Sequence, residues 1–242
     1  MKLNTKIKFS TPSKMPCYSW SLQAIETCPA SIKANGELVD ACKGCYATEG
    51  TYRFGVVKDA RAFNKEDWKR DEWVSEFITA LDNQRYFRWF DSGDAYHTNL
   101  LSKMYEICLQ TGHCKHWIPT RMYKFKKFKE PLDRLNSLPN VTVRFSSDSV
   151  LGEFTEGVHG STILPDRRDV HGVTRCNAYR TDKWGNTISD AEFDKLSTTK
   201  DYGYCGSCRA CWNKDVPVIG YVAHGTKMKS VVKNAIEHLQ IA

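Results

Sequence analysis

The chain is expected to fold as an α/β protein, a partial, open β/α barrel that ends in an irregular cysteine-rich C-terminal region. Short apolar runs alternate with amphipathic segments, the pattern left by repeated β/α units and a largely parallel sheet. Six runs read as strands, at residues 17–22, 86–90, 116–120, 141–145, 174–178 and 216–223, too few for a closed eight-stranded barrel. Cysteines and carboxylates follow these runs, as expected where loops at the carboxyl ends of parallel strands carry the chemistry.

Taken in order, Cys28, Cys42 and Cys45 come after the first strand. A first long helix is expected to start at Asn64, a good N-cap, and to place Val74, Phe77, Ile78 and Leu81 on one buried face. Asp94 follows the second strand, and Leu100, Leu101, Met104, Ile107 and Cys108 trace a second helix. Residues 121–129 mix cations with aromatics, as single-strand binding surfaces do. The plainer reading is a helical face made of Phe125, Phe128, Leu132 and Leu135 with solvated lysines opposite. Ser146 to Ser149 follow the fourth strand, and the Gly, Pro and charge of residues 150–173 predict turns over the edge or mouth of the fold. Cys176 lies near the end of the fifth strand. The last helix is capped by Thr226, with Met228, Val231, Val232, Ala235, Ile236 and Leu239 at three- and four-residue steps.

The 242 residues suit a single domain, with N-terminal β/α units over 15–150 and the cysteine-rich segment, last strand and closing helix over 174–242. With 41% hydrophobic and 26% charged residues the composition argues against disorder. The longest apolar run, residues 216–223, is too short for a bilayer, and the first ten residues lack the apolar stretch of a secretory signal. These features predict a cytoplasmic protein with no membrane partner. In that reducing compartment ten cysteines are expected to hold metal more often than disulfides. The net charge of +7 counts every cysteine as neutral, and an anionic cluster would lessen it, so the basic balance argues only weakly for nucleic acid.

In Cys205-Gly-Ser-Cys208-Arg-Ala-Cys211 two residues separate successive thiols. A tight turn then presents them on corners of a cube, the repeated spacing of bacterial ferredoxins, whose fourth cysteine comes from elsewhere. Cys176 is the candidate for that fourth corner. Zinc is the competing ion, but four-cysteine zinc sites usually pair two separate knuckles, so the pattern favours a [4Fe–4S] cluster. Cys28, Cys42 and Cys45 form a second set whose three ligands would leave one iron open. Cys17 completes that set in one reading; in another, Cys28, Cys42 and Cys45 share a single cluster with members of the C-terminal group. Cys108 reads as core, and Cys114 between His113 and His116 as a helix-to-strand connection.

The order Ser19-x-Ser21-Leu22, Thr27-Cys28-Pro29, Cys42-x-x-Cys45-Tyr46-Ala47, Ser92-Gly93-Asp94, Cys176, Cys205-x-x-Cys208-x-x-Cys211-Trp212 and His224 resembles the phage-encoded gene product 88 family. That family looks like a relative of the radical S-adenosylmethionine (SAM) enzymes, and the resemblance implies their partial barrel, acting in the host cytoplasm. It implies a cluster loop at Cys28, Cys42 and Cys45, and an auxiliary cluster at the downstream cysteines. Ser92, Gly93 and Asp94 would occupy the place of the motif that binds the amino group of SAM. Without the resemblance Asp94 reads as a turn or cap residue. His224 would be an acid–base group or a hydrogen-bonded structural histidine.

The expected function is iron–sulfur redox or radical chemistry on an unspecified substrate, with an electron donor as partner and one or two [4Fe–4S] clusters, and SAM, as cofactors. Two alternatives stand beside it: a non-enzymatic iron–sulfur redox or structural protein, and a zinc-stabilised nucleic-acid-binding protein.

Overall fold

The computed structural model describes residues 6–196 and 203–241. Among these, the strands are β1 (Tyr18–Trp20), β2 (Tyr86–Trp89), β3 (Lys115–Thr120), β4 (Val141–Ser146), β5 (Gly160–Leu164), β6 (Val173–Arg175) and β7 (Val218–Val222). The helices are α1 (Asp40–Lys43), α2 (Gly55–Asp67), α3 (Trp73–Ala80), α4 (Thr98–Gln110), α5 (Lys126–Ser137), α6 (Asp190–Leu196) and α7 (Thr226–Ile241). The chain forms two compact units. The first takes the chain up to Thr11, then Cys17–Glu37 and Tyr46–Arg144; the second takes Pro12–Pro16, Leu38–Cys45 and Phe145 onward.

In the first unit the strands run in the order β1-β2-β3-β4. The β1/β2 and β2/β3 pairs are parallel, with Trp20 opposite Trp89 and Phe87 opposite His116. Aromatic rings fill the space between sheet and helix: Trp20, Trp73, Phe77, Phe87 and Trp89 are all fully buried. Phe77 of α3 stacks on Trp89 at 4.9 Å, and Trp20 meets Trp73 edge-on at 5.4 Å. Such pairs contribute about 0.5–1.5 kcal/mol each beyond the area they bury.

The helix expected to start at Asn64 is instead two helices. Asn64 lies inside the last turn of α2, where its buried amide donates to the Ser21 carbonyl at 3.0 Å and the Lys8 carbonyl at 3.2 Å. An amide with those partners serves tertiary structure better than a cap. The polar run 69–72 then breaks the helix, and Arg70 ties the break by donating to Asp67 at 2.6 Å and to Glu76 at 3.1 and 2.7 Å. The stripe of α4 is as expected, with Leu100, Leu101, Met104, Ile107 and Cys108 buried. In α5 the residues Phe128, Leu132 and Leu135 are buried, while Phe125 precedes the helix and is 39% exposed.

His116 is a core histidine. Its Nδ1 accepts the Trp89 indole N–H at 3.2 Å, and its Nε2 pairs with the Thr111 hydroxyl at 2.9 Å. Burial, reinforced by nearby His113, pushes its pKa down to about 3. The unfolded chain therefore binds one more proton than the folded one as the pH drops below about 6.5. Stability from this group is complete above that value and is expected to fall by about 1.4 kcal/mol per pH unit toward pH 3. Urea unfolding across that window should give a flatter dependence for His116→Gln than for the natural protein; equal slopes would refute the assignment.

In the second unit β4 gives way to β5, β7 and β6, in that order. All three pairs are parallel, and β5 lies along β7 for five residues, from Gly160 opposite Val218 to Leu164 opposite Val222. Strand β5 corrects the expectation of turns throughout 150–173. Its five residues are flanked by Gly, Pro and charge that hide it in the sequence, and its backbone is held from both sides. Ala41, Val150, Ala223, Met228 and Val232 form one core cluster. Helix α1 comes so close to α7 that a Cβ on Gly44 would lie 2.7 Å from the Met228 Cα. The expected stripe of α7 is buried only in part, for Ile236 and Leu239 are 39% and 67% exposed.

Candidate functional site

Parallel strands place their carboxyl ends on one edge, and the residues singled out from the sequence gather there within each unit. In the first unit Cys28 follows β1, Ser92-Gly93-Asp94 follows β2, and Arg121 follows β3. In the second, the 146–149 serines follow β4, Cys176 follows β6 and His224 follows β7.

The β2 loop is held on all sides. Ser92 Oγ donates to the Leu22 carbonyl at 2.7 Å, and the Leu22 N–H donates to the Ser92 carbonyl at 2.9 Å. Gly93 has φ +79° and packs its Cα against Leu22 and Thr27. Asp94 is buried; its Oδ1 accepts from Thr120 Oγ1 and the Ala95 N–H, both at 2.7 Å, and its Oδ2 from the Arg121 N–H at 2.8 Å. Burial raises the Asp94 pKa, and these three hydrogen bonds oppose the rise. The carboxylate thus joins the carboxyl ends of β2 and β3. Asp94→Asn turns one acceptor into a donor facing a donor. It is expected to cost about 2–3 kcal/mol in urea unfolding, and a loss below about 0.5 kcal/mol would rule the role out.

Beside it, buried Asp91 accepts from Tyr52 Oη at 2.5 Å and from Arg88 Nη1 at 2.9 Å, and its carbonyl accepts from Tyr46 Oη at 2.6 Å. Burial first, then neighbouring Tyr46 and Asp91, raises the Tyr52 pKa far above the phenol range. Tyr52 is thus a neutral donor holding this loop.

Of the first cysteine set, Cys28 lies in the first unit, where its carbonyl accepts from the Ser31 N–H at 2.9 Å and from Ser31 Oγ at 2.6 Å. Cys42 and Cys45 belong to the second unit, joined by a Cys45 N–H to Cys42 carbonyl bond of 3.2 Å. Helix α1, which carries Cys42, is tied to the loop after β4 by the Ala41 N–H donating to the Asp148 carbonyl at 2.9 Å. Cys17, Cys108 and Cys114 are core residues of the first unit. Burial, with Cys17 nearby, pushes the Cys114 thiol up to about 12.

The second set comes from two stretches of the second unit. Cys176 leaves β6 with its N–H donating to the Gly220 carbonyl of β7 at 2.8 Å, and it packs against the cluster of Tyr179, Phe193 and Val222. From the next residue of β7, Tyr221 Oη lies 3.6 Å from Cys211 Sγ. Burial drives the Cys176 thiol well above the thiol range. The charges of Cys211, Cys205 and Cys208 push it the same way, and the Ala178 N–H aimed at the sulfur opposes them. Four thiols from two distant stretches therefore stand within electrostatic reach of one another. No three His, Cys, Asp or Glu side chains among the described residues gather to the spacing of one metal ion. None of the ten cysteines is in a disulfide.

Local hydrogen bonds shape the loop that carries three of these thiols. The Cys208 N–H donates to the Cys205 carbonyl at 3.0 Å, and Arg209 Nη1 donates to the carbonyls of Gly206 at 2.8 Å and Cys208 at 2.7 Å. Gly206 and Gly185, both with positive φ, bring two backbones together: a Cβ on Gly185 would lie 2.8 Å from the Gly206 Cα. The hairpin that delivers Gly185 is built by Asp182, whose Oδ1 accepts from the Trp184 and Asn186 N–H groups, each at 2.9 Å. Thr181 Oγ1 donates to the Tyr204 carbonyl.

Lys14 also belongs here. Its carbonyl accepts the Cys205 N–H at 3.0 Å. Burial lowers the pKa of its ammonium, while the charges of Cys176 and Cys205 raise it. Nothing in the sequence marks this lysine or Tyr221, because neither has a periodicity or spacing that links it to the cysteines. His224 was singled out, and its Nδ1 lies 2.8 Å from Tyr179 Oη and 3.2 Å from the Val222 carbonyl, a hydrogen-bonded position.

Among the described residues no helix is long and apolar enough to cross a membrane. No curated protein and no solved structure matches the chain. The family model described as gene product 88 matches residues 1–214, a span that includes all ten cysteines and stops before β7. By that match over most of its length, the chain belongs to the gene product 88 family.

Proposed function

We propose that this is a phage-encoded iron–sulfur protein whose cluster is held by Cys176, Cys205, Cys208 and Cys211. The observation that carries the reading is that Cys176 is bonded to Gly220 of β7 while the next residue, Tyr221, reaches Cys211 of the loop at 3.6 Å, across a long separation in sequence. The donor set suits the group. Four thiols with no carboxylate among them match the ligation of a [4Fe–4S] cluster, and such a cluster spreads its ligands more widely than the roughly 2.3 Å shell of a single zinc. When bound, the cluster would supply one-electron transfer, with a low-potential electron carrier as the partner that reduces it. The chain's own part is to fix the cage. Backbone bonds shape the loop, the Ala178 N–H points at a ligand sulfur, and the Tyr179–Phe193–Val222 cluster keeps water from one side.

Anaerobic purification with iron and sulfide counts tests this. About four irons and four sulfides per chain are expected for one cluster, and about eight of each for two. Colourless protein with zinc and no iron would refute the reading and favour the zinc-stabilised alternative. Radical chemistry with SAM is the more specific form of the proposal. Its support is that Cys28 and Ser92-Gly93-Asp94 lie at the carboxyl ends of β1 and β2. Release of 5′-deoxyadenosine from SAM under dithionite tests that form; its absence would leave a redox or structural role.

A further inference from the structure

We propose that Lys14 is a positioning residue whose ammonium compensates the negative charge of the cysteine cage and raises the reduction potential of the cluster. This deepens the iron–sulfur reading and rests on it. Lys14 is far from Cys176, Cys205, Cys208 and Cys211 in sequence, yet residues 12–16 fold into the same compact unit. Prolines bracket the segment, and the Met15 N–H closes a turn on the Pro12 carbonyl at 3.1 Å. The Lys14 carbonyl holds the N–H of Cys205 at 3.0 Å, so the backbone that presents the first ligand of the loop is registered on this turn.

The side chain lies over Gly203. A Cβ there would come within 3.1 Å of Lys14 Nζ, 3.3 Å of its Cε and 3.3 Å of the Ala178 carbonyl. Gly203 also has φ +81°, so glycine suits both the backbone and the lysine that crosses it. The ammonium thus sits at the junction of the two segments that meet at the cage, the 176–179 turn and the 203–211 loop.

Four thiolates and a cluster make an anionic cage, and adding an electron increases that charge. A fixed cation in a partly buried site favours the reduced state more than the oxidised one. The electron comes from an external one-electron donor and stays on the cluster; no bond is made or broken and no proton is required.

The test is a potentiometric titration of the anaerobic full-length protein, with mediator dyes as electron donors and the reduced cluster read by electron paramagnetic resonance. Lys14→Met is expected to hold as much iron as the natural protein. At a given ambient potential it should show about a tenfold smaller ratio of reduced to oxidised cluster, a midpoint lower by about 59 mV for one electron. Lys14→Arg should keep the natural midpoint. Full iron in Lys14→Met with an unchanged midpoint overturns the proposal. If Lys14→Met does not fold, Lys14→Gln is held to the same criterion. Natural protein without iron overturns the iron–sulfur reading and this inference with it.

Discussion

Cys176→Ala is expected to lose the iron and acid-labile sulfide and to lower the melting temperature by about 10 °C or more. Cys205, Cys208 and Cys211 come from one turn, and a turn of that kind needs its fourth ligand from elsewhere. Cys176 is the thiol proposed to supply it, fixed to β7 by its N–H, next to Tyr221, which reaches Cys211. Without it the 203–211 loop keeps its internal bonds and its contacts with Lys14, Thr181 and Tyr221, but loses the ligand that a cluster needs from outside the turn. Cys114→Ala is the control, since that thiol lies in the first unit's core. It should cost stability through a small cavity and leave the iron content unchanged. A Cys176→Ala protein with full iron would remove Cys176 from the cage.

Gly93→Val should destabilise the first unit by about 4 kcal/mol. The backbone at φ +79° is one that a branched side chain resists, and the space is already taken. A Cβ would lie 2.6 Å from both Leu22 Cβ and Thr27 Oγ1 and 2.9 Å from the Leu22 carbonyl carbon. Ser92 and Leu22 lock that approach through their paired hydrogen bonds, so the loop cannot back away without breaking them. Urea unfolding followed by tryptophan fluorescence measures the loss, and a change under 1 kcal/mol would show the loop to be freer than described.

The cysteines were legible because their signal is local. A repeated two-residue spacing needs no knowledge of the fold. Strands β2, β3, β4 and β7 were legible as apolar runs, and α4 and α5 as buried stripes. Strand β5 was not, because five residues between glycine-, proline- and charge-rich turns carry almost no periodicity. Its identity comes from its neighbours in the sheet. The split between α2 and α3 was hidden by Asn64, whose capping chemistry is spent on distant carbonyls instead. Asp94 had two sequence readings, a cap and a ligand for an amine. Its three hydrogen bonds, two of them to the end of β3, depend on strand pairing and could not be seen in the order of residues. Lys14 reaches the cysteines by tertiary folding alone.

The most direct test of the cysteine cage is an anomalous-difference map recorded at the iron absorption edge from crystals grown without oxygen. A strong iron peak bounded by the sulfurs of Cys176, Cys205, Cys208 and Cys211 is predicted. A map with no iron there, or with its peak at the zinc edge instead, would contradict the account.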